Sequence, residues 1–108
     1  MEERRTHIET SRHGPVAYVR PSGELDYTSR QELVCTFEDV MRVRSTDQVI
    51  VDLRRVDLID STVLGVLVMA EKRARQTGIR LVFARGCPAA HRPFEMTHID
   101  QYLTFVQL

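Results

Sequence analysis

The pattern of apolar and polar residues predicts two short extended segments near the N-terminus. Residues 8–12 alternate weakly, and residues 16–20 form a run rich in β-forming residues. Gly14-Pro15 lies between them and is a turn signal, so the two segments are predicted to form a hairpin. Pro21-Ser22-Gly23 is expected to end the second strand.

From Ser29 the apolar period becomes that of a helix. Four apolar side chains share one helical stripe: Leu33, Phe37, Val40 and Met41. Thr28 or Ser29 is predicted to cap this helix, and Glu32 lies three residues after Ser29, where it would complete a capping box. Ser45-Thr46 is expected to end it.

Strand and helix patterns alternate in the second half of the chain. Residues 48–53 hold three consecutive β-branched apolar residues, which is typical of a strand covered on both faces. Residues 54–58 are expected to be a loop, and residues 61–77 a helix that ends at Gly78. Residues 79–84 are predicted to be a strand. Strand, helix and strand in this order indicate a βαβ unit with parallel strands.

A short helix and a last strand are predicted near the C-terminus. The helix is expected to begin near Arg92 and end near Thr97, because proline at position 93 is tolerated in a first turn. Residues 104–108 are the expected strand. The elements together predict an α/β fold, with residues 1–108 forming a single domain of mixed sheet and packed helices.

Composition and charge narrow the classes of partner. The 108 residues are 43% hydrophobic and 28% charged, which is ordinary for a soluble globular domain. The net charge is zero, which argues against nonspecific binding to nucleic acid. Acids outnumber bases between Glu24 and Asp47, whereas Lys72 to Arg92 holds six bases and no acid. Surfaces of opposite sign would suit a protein partner that recognises charge.

Cysteine and histidine usage indicates no metal site. Cys35 and Cys87 are far apart and form no CxxC motif, so neither a metal site nor a disulfide framework is expected. His91 and His98 lack a third ligand and are expected to be surface residues. The N-terminus has no apolar stretch of a signal peptide, and residues 63–70 are far shorter than the ~20 residues that span a bilayer. We expect a cytoplasmic protein without membrane or nucleic-acid partners, and without a metal or cofactor.

The candidate chemistry lies at Asp60-Ser61-Thr62, directly before the small and apolar residues Val63 to Ala70. Backbone N–H groups at a helix start are unpaired, and that end of the helix dipole is positive. Two interpretations follow. The three polar residues are good N-caps, and a phosphoserine would be held by the same N–H groups. The two roles are compatible, because a residue at a cap can also be modified.

A family resemblance bears on that choice. The stretch VDLRRVDLIDSTVLGVLVMAEKRARQTGIRLVFA, residues 51–84, resembles the core of the STAS domain, the fold of sulfate transporters and anti-sigma factor antagonists. Upstream, Gly23-Glu24-Leu25-Asp26 resembles the GELD turn of that family, and residues 88–103 resemble the segment of its third helix. The resemblance covers nearly the whole chain in the family's order and spacing.

Within the family, the chain resembles the bacterial anti-sigma factor antagonists, which are not enzymes. The resemblance implies binding to an anti-sigma factor that is also a serine kinase, release of a sigma factor, and reversal by a serine phosphatase. Ser61 matches the serine that the kinase phosphorylates. The residues placed near the phosphorylation site or the partner are Asp26, Asp57, Asp60, Thr62, Val63 and Leu64.

Val63 departs from the family pattern, which usually has glycine there. Valine fits a helical backbone, so the fold is expected to tolerate it, but recognition by the kinase depends on this position. Two alternatives therefore stay open. In one, the chain is a non-switching scaffold or an accessory subunit of a signalling or lipid-transport assembly, and Ser61 is only a cap. In the other, Ser61 is a hydrolase nucleophile, although the chain has no G-x-S-x-G elbow.

Overall fold

The computed structural model describes residues 6–108. Residues 1–5, part of the N-terminus that lacks a signal-peptide pattern, lie outside the described residues. The strands are β1 (His7–His13), β2 (Val16–Leu25), β3 (Gln48–Asp52), β4 (Arg55–Ile59), β5 (Arg80–Ala84) and β6 (Phe105–Val106). The helices are α1 (Arg30–Arg42), α2 (Ser61–Thr77) and α3 (Pro88–Met96). Two 3-10 turns, Tyr27–Ser29 and Ile99–Gln101, complete the described elements.

The strands form one mixed six-stranded sheet in the order β1-β2-β3-β5-β6, with β4 also paired to β2. β1 and β2 are the predicted antiparallel hairpin. All other pairs are parallel, including β3 with β5 on either side of α2. The predicted α/β fold, a mixed sheet with packed helices, is confirmed.

The core lies between the helices and one face of the sheet. Alternate residues of β2 and β3, such as Val19 and Val51, join buried side chains of all three helices in a single cluster. Phe83 of β5 and Phe94 of α3 are the largest fully buried side chains among the described residues. Tyr18, which points to the opposite face of β2 from Val19, is only partly buried. The helices are therefore held against one face of the sheet by apolar burial.

β2 continues through Pro21 to Leu25, so the predicted stop at Pro21-Ser22-Gly23 is wrong. β2 pairs with β3 as far as Val19 and with β4 from Ser22 onward. Pro21 lies between these two ladders, where its missing N–H leaves no parallel hydrogen bond unmade.

The predicted loop at residues 54–58 is also wrong, because β4 occupies Arg55–Ile59. This strand is short, and only Val56 and Ile59 in it are buried, so its sequence carries little β signal. It forms because the C-terminal half of β2 extends beyond β3 and offers a free edge.

α3 begins at Pro88, not near Arg92. Pro88 occupies the first turn, where an N–H would have no acceptor, while Pro93 is tolerated inside the helix. Ala90, His91 and Phe94 are buried, and this packing outweighs the local cost of the internal proline. The helix ends next to Thr97, as predicted.

His91 is buried, with 5% of its surface exposed, so its predicted surface position is wrong. Its Nε2 accepts a hydrogen bond from the Gly86 N–H at 2.7 Å. Its ring contacts the rings of Phe94 and Phe105 at centroid distances of 5.5 and 5.2 Å. Burial lowers the pKa of His91, and the nearby Arg85 cation lowers it further. His91 is therefore a neutral core residue, whereas His98 is exposed.

Candidate functional site

Asp60 connects β4 to α2 and caps the helix. Its backbone is extended, and its Oδ1 accepts a hydrogen bond from the N–H of Val63 at 3.0 Å. Its carbonyl accepts the N–H of Leu64 at 3.2 Å. The Asp60 side chain thus satisfies one of the N–H groups that a helix leaves unpaired at its start, and the Asp60 carbonyl accepts the first intrahelical hydrogen bond.

Ser61 and Thr62 are exposed in the first turn of α2. Within residues 6–108, neither hydroxyl has a hydrogen-bond partner, because the capping role is taken by Asp60. The N–H groups of Ser61 and Thr62 precede the first intrahelical bond and point out of the helix end. A free hydroxyl therefore lies at the positive end of a helix whose next residues, Val63 and Leu64, are buried in the core.

The turn after β2 lies beside this helix end. Leu25 and Ile59 are register partners at the ends of β2 and β4, and the N–H of Asp60 donates to the Leu25 carbonyl at 3.0 Å. Asp26 directly follows β2, and Asp60 directly follows β4. They therefore leave the sheet from adjacent strands at the same edge.

Asp26 caps the 3-10 turn that leads into α1. Its Oδ1 accepts hydrogen bonds from the N–H and the hydroxyl of Thr28, and Ser29 Oγ accepts the N–H of Asp26 at 3.1 Å. The hydrogen bonds from Thr28 lower the pKa of Asp26, so its carboxylate is ionised at neutral pH. Ser29, one of the two predicted caps, occupies the N-cap position of α1, but its side chain makes no cap hydrogen bond to the helix, so the predicted capping box with Glu32 does not form.

The comparison with protein families agrees with this architecture. A family model described as the STAS domain matches residues 7–107. The chain belongs to the STAS domain family. The predicted resemblance is therefore confirmed at the level of the family.

Relatives of this STAS domain include named regulators. An anti-sigma F factor antagonist from Paenibacillus polymyxa is 28% identical over 90 residues, which cover 83% of this chain and 77% of the relative. An anti-sigma factor antagonist from Mycobacterium paratuberculosis has a similar structure, with a TM-score of 0.81 at 23% identity over 96% of this chain and 87% of that one. SpoIIAA in its unphosphorylated form gives a TM-score of 0.75 at 13% identity, over 94% and 89% of the two chains.

The remaining predicted site residues differ in exposure. Asp57 is exposed on β4, and its carbonyl receives a long contact of 3.9 Å from the Cys87 thiol. Val63 and Leu64 are 0% and 3% exposed. Their side chains thus support the helix end from inside the STAS domain and are not available to a partner.

Two exposed apolar residues beside the site were not predicted. Tyr27 follows Asp26 and is 72% exposed, and Leu58 lies between Asp57 and Ile59 and is 48% exposed. Large exposed apolar side chains next to polar groups are typical of protein-binding surfaces. Strand alternation alone would not have indicated Leu58, because Val56 and Ile59 are buried three residues apart and the β2–β4 register shifts between them.

Residues 6–108 contain no group of three His, Cys, Asp or Glu side chains placed to hold a metal ion. Nor does that range contain a helix of sufficient length and apolarity to cross a bilayer.

Proposed function

We propose that this STAS domain is an anti-sigma factor antagonist that is switched off by phosphorylation of Ser61. In the unphosphorylated state it binds an anti-sigma factor that is also a serine kinase, and a sigma factor is released. A serine phosphatase restores the active state. The chain acts in the cytoplasm as a binding protein, not as an enzyme.

One observation carries this proposal. The carboxylate of Asp60 caps α2, so the hydroxyl of Ser61 is exposed and unpaired among the described residues. The names of the relatives support the same role. SpoIIAA, whose fold is similar at 13% identity, has been solved in a phosphorylated form as well as an unphosphorylated one.

The phosphorylation step is a phosphoryl transfer. The oxygen of Ser61 attacks the γ-phosphorus of ATP bound to the kinase, the bond to the β-phosphate oxygen breaks, and ADP leaves. The hydroxyl proton passes to a base of the kinase. The unpaired N–H groups in the first turn of α2 are next to Ser61, so they can donate hydrogen bonds to the new phosphate.

The phosphate would act on affinity through charge. It adds about −1.5 to −2 charges next to Asp60 and at the edge that also carries Asp26. A partner that covers Ser61 must then desolvate this charge beside existing carboxylates. A penalty of about 3 kcal/mol is enough to weaken binding more than a hundredfold.

The departure at Val63 is compatible with this role. The Val63 side chain is fully buried and points into the core, away from the surface that carries the Ser61 hydroxyl. A kinase that approaches Ser61 therefore meets no added side chain from Val63. The backbone there is helical, which valine adopts without strain.

A kinase assay with matched variants tests the proposal. The chain is incubated with ATP and each candidate anti-sigma factor kinase from the same genome, and the intact mass is measured. We expect one added phosphate on the wild type and on Thr62→Ala, and none on Ser61→Ala. Modification of Ser61→Ala to the wild-type extent would contradict the assignment of the site.

A binding titration separates the switch from a constitutive role. We expect Ser61→Asp to bind the anti-sigma factor at least about tenfold more weakly than the unphosphorylated wild type. Equal binding of Ser61→Asp and wild type would favour the alternative, a non-switching scaffold or accessory subunit.

A further inference from the structure

A groove of about 560 Å³ lies between α1 and α2 and starts at the candidate site. Its lining on α2 runs from Thr62 to Gln76, a length of about 21 Å at the rise of a helix. Apolar side chains such as Val34, Met41 and Met69 form much of its surface. Met69 is 63% exposed, although it belongs to the small and apolar run Val63 to Ala70.

Gly65 has no evident role in the fold. It lies in the lining of the groove, in the interior of α2, where glycine costs about 1 kcal/mol relative to alanine. A Cβ built on Gly65 meets no atom within 4 Å, and Gly65 is not among the glycines with a positive φ. Neither packing nor backbone conformation thus requires glycine there. What glycine does provide is close access to the helix backbone from the groove.

The charges around the groove are mainly positive. Arg30, Lys72 and Arg73 line it, against the single acid Glu38. Within residues 6–108, none of the three cations forms an ion pair. An acidic partner would therefore find available cations beside an apolar floor.

We propose that this groove binds an acidic amphipathic helix of the anti-sigma factor. The inference rests on the proposed function, because it assigns the groove to the same partner that covers Ser61. Both walls of the groove are helices, which offer ridges for packing but no strand edge for β-pairing. The apolar face of the bound helix packs on Met69 and over Gly65, and its acids face Lys72 and Arg73. Met69 adapts its shape to the helix because methionine is flexible.

Filling the groove tests its occupation. The affinity of the anti-sigma factor is measured for Gly65→Leu and Gly65→Ala by calorimetry. We expect Gly65→Leu to weaken binding at least about thirtyfold, because leucine occupies the space of the bound helix. Gly65→Ala adds only one methyl group, so we expect a change of less than about fivefold. Both variants should keep the fold, which circular dichroism checks.

Two further pairs of variants move the test away from Ser61. Met69 lies two turns along α2, about 12 Å from Ser61. Met69→Glu is expected to weaken binding at least about tenfold, whereas Met96→Glu, at a methionine that is also exposed, should not. Arg73→Glu is expected to do the same, and the exposed Arg80→Glu should not. The loss from Arg73→Glu should shrink in 0.5 M salt, because screening weakens surface attraction.

The outcomes distinguish the groove from the switch. Wild-type affinities for Gly65→Leu and Met69→Glu, with the loss on Ser61→Asp retained, would overturn the groove and leave the proposed function standing. A wild-type dimer that Gly65→Leu converts to a monomer would also overturn it, because a second copy would then be the occupant. Failure of the anti-sigma factors to bind the wild type would overturn both proposals.

Discussion

Asp60 and Ser61 are adjacent at the start of α2 and have different roles, although the sequence left open which of them caps the helix. The Asp60 carboxylate bonds the helix N–H of Val63, and the Ser61 hydroxyl faces solvent. The sequence could not assign the cap, because aspartate, serine and threonine are all favoured there. The choice depends on where β4 ends, and β4 itself was predicted as a loop.

The first prediction concerns which of these two residues caps α2. Asp60→Ala removes the acceptor for the Val63 N–H and is expected to lower the free energy of unfolding by about 1 kcal/mol. Asp60→Asn keeps an acceptor oxygen and should recover most of this loss. Ser61→Ala should change stability by less than about 0.5 kcal/mol, as for an ordinary surface site. Urea denaturation measures all three, and a larger loss for Ser61→Ala than for Asp60→Ala would identify the serine as the cap.

At the scale of the elements, Arg75 of α2 binds both its own helix and the segment after α3. The guanidinium of Arg75 donates to Glu71 one turn earlier and to the Tyr102 carbonyl at 3.0 Å. It also lies 4.4 Å from the centroid of the Tyr102 ring. Glu71 is 6% exposed, and its Oε1 has no hydrogen-bond partner among the described residues. The buried Glu71 carboxylate therefore depends on the Arg75 guanidinium for a hydrogen bond and a compensating charge.

The second prediction follows from this dependence. Arg75→Met leaves the Glu71 carboxylate buried without its cation and is expected to cost about 2 kcal/mol of stability. The double variant with Glu71→Met removes the charge as well and should be at least about 1 kcal/mol more stable than Arg75→Met alone. Thermal or urea unfolding of the single and double variants measures this coupling. Additive losses would show that the pair is not coupled.

The elements themselves were predicted unevenly. The hairpin, α1, β3, α2 and β5 were recognised, because each has a clear apolar period or an end signal such as Gly78. β4 and the second half of β2 were missed. Each is stabilised by pairing with the other, which is a long-range contact that a local pattern does not contain.

For the molecule as a whole, stability should depend on pH through His91. Its Nε2 accepts the Gly86 N–H, so that nitrogen carries no proton in the folded state. Burial, followed by the charge of Arg85, lowers the pKa of His91 from its ordinary value of 6.5, although Glu95 opposes this. In the unfolded chain histidine titrates near its ordinary value. The unfolded state therefore binds more protons below about pH 6.5, and stability falls as the pH falls.

The third prediction tests this dependence. The free energy of unfolding of the wild type is expected to decrease between pH 7.5 and pH 5.5. His91→Gln keeps an acceptor at that position but cannot take up a proton, so its stability should change less over the same range. His98→Gln, at an exposed histidine, is the control and should follow the wild type. A wild-type slope in His91→Gln would mean that another group titrates.

The successive pairing of β2 with β3 and then β4 limits where the chain length can vary. Deletion of one residue between 20 and 25 would draw Asp26 back by about 3.3 Å and turn the side chains before it to the opposite face. Added residues at Gly14, at the far end of β2, would only enlarge the hairpin loop. Homologous or engineered chains can therefore lengthen at the hairpin end of β2. The number of residues at the other end is fixed, because that end pairs with β4 and so helps to place Ser61.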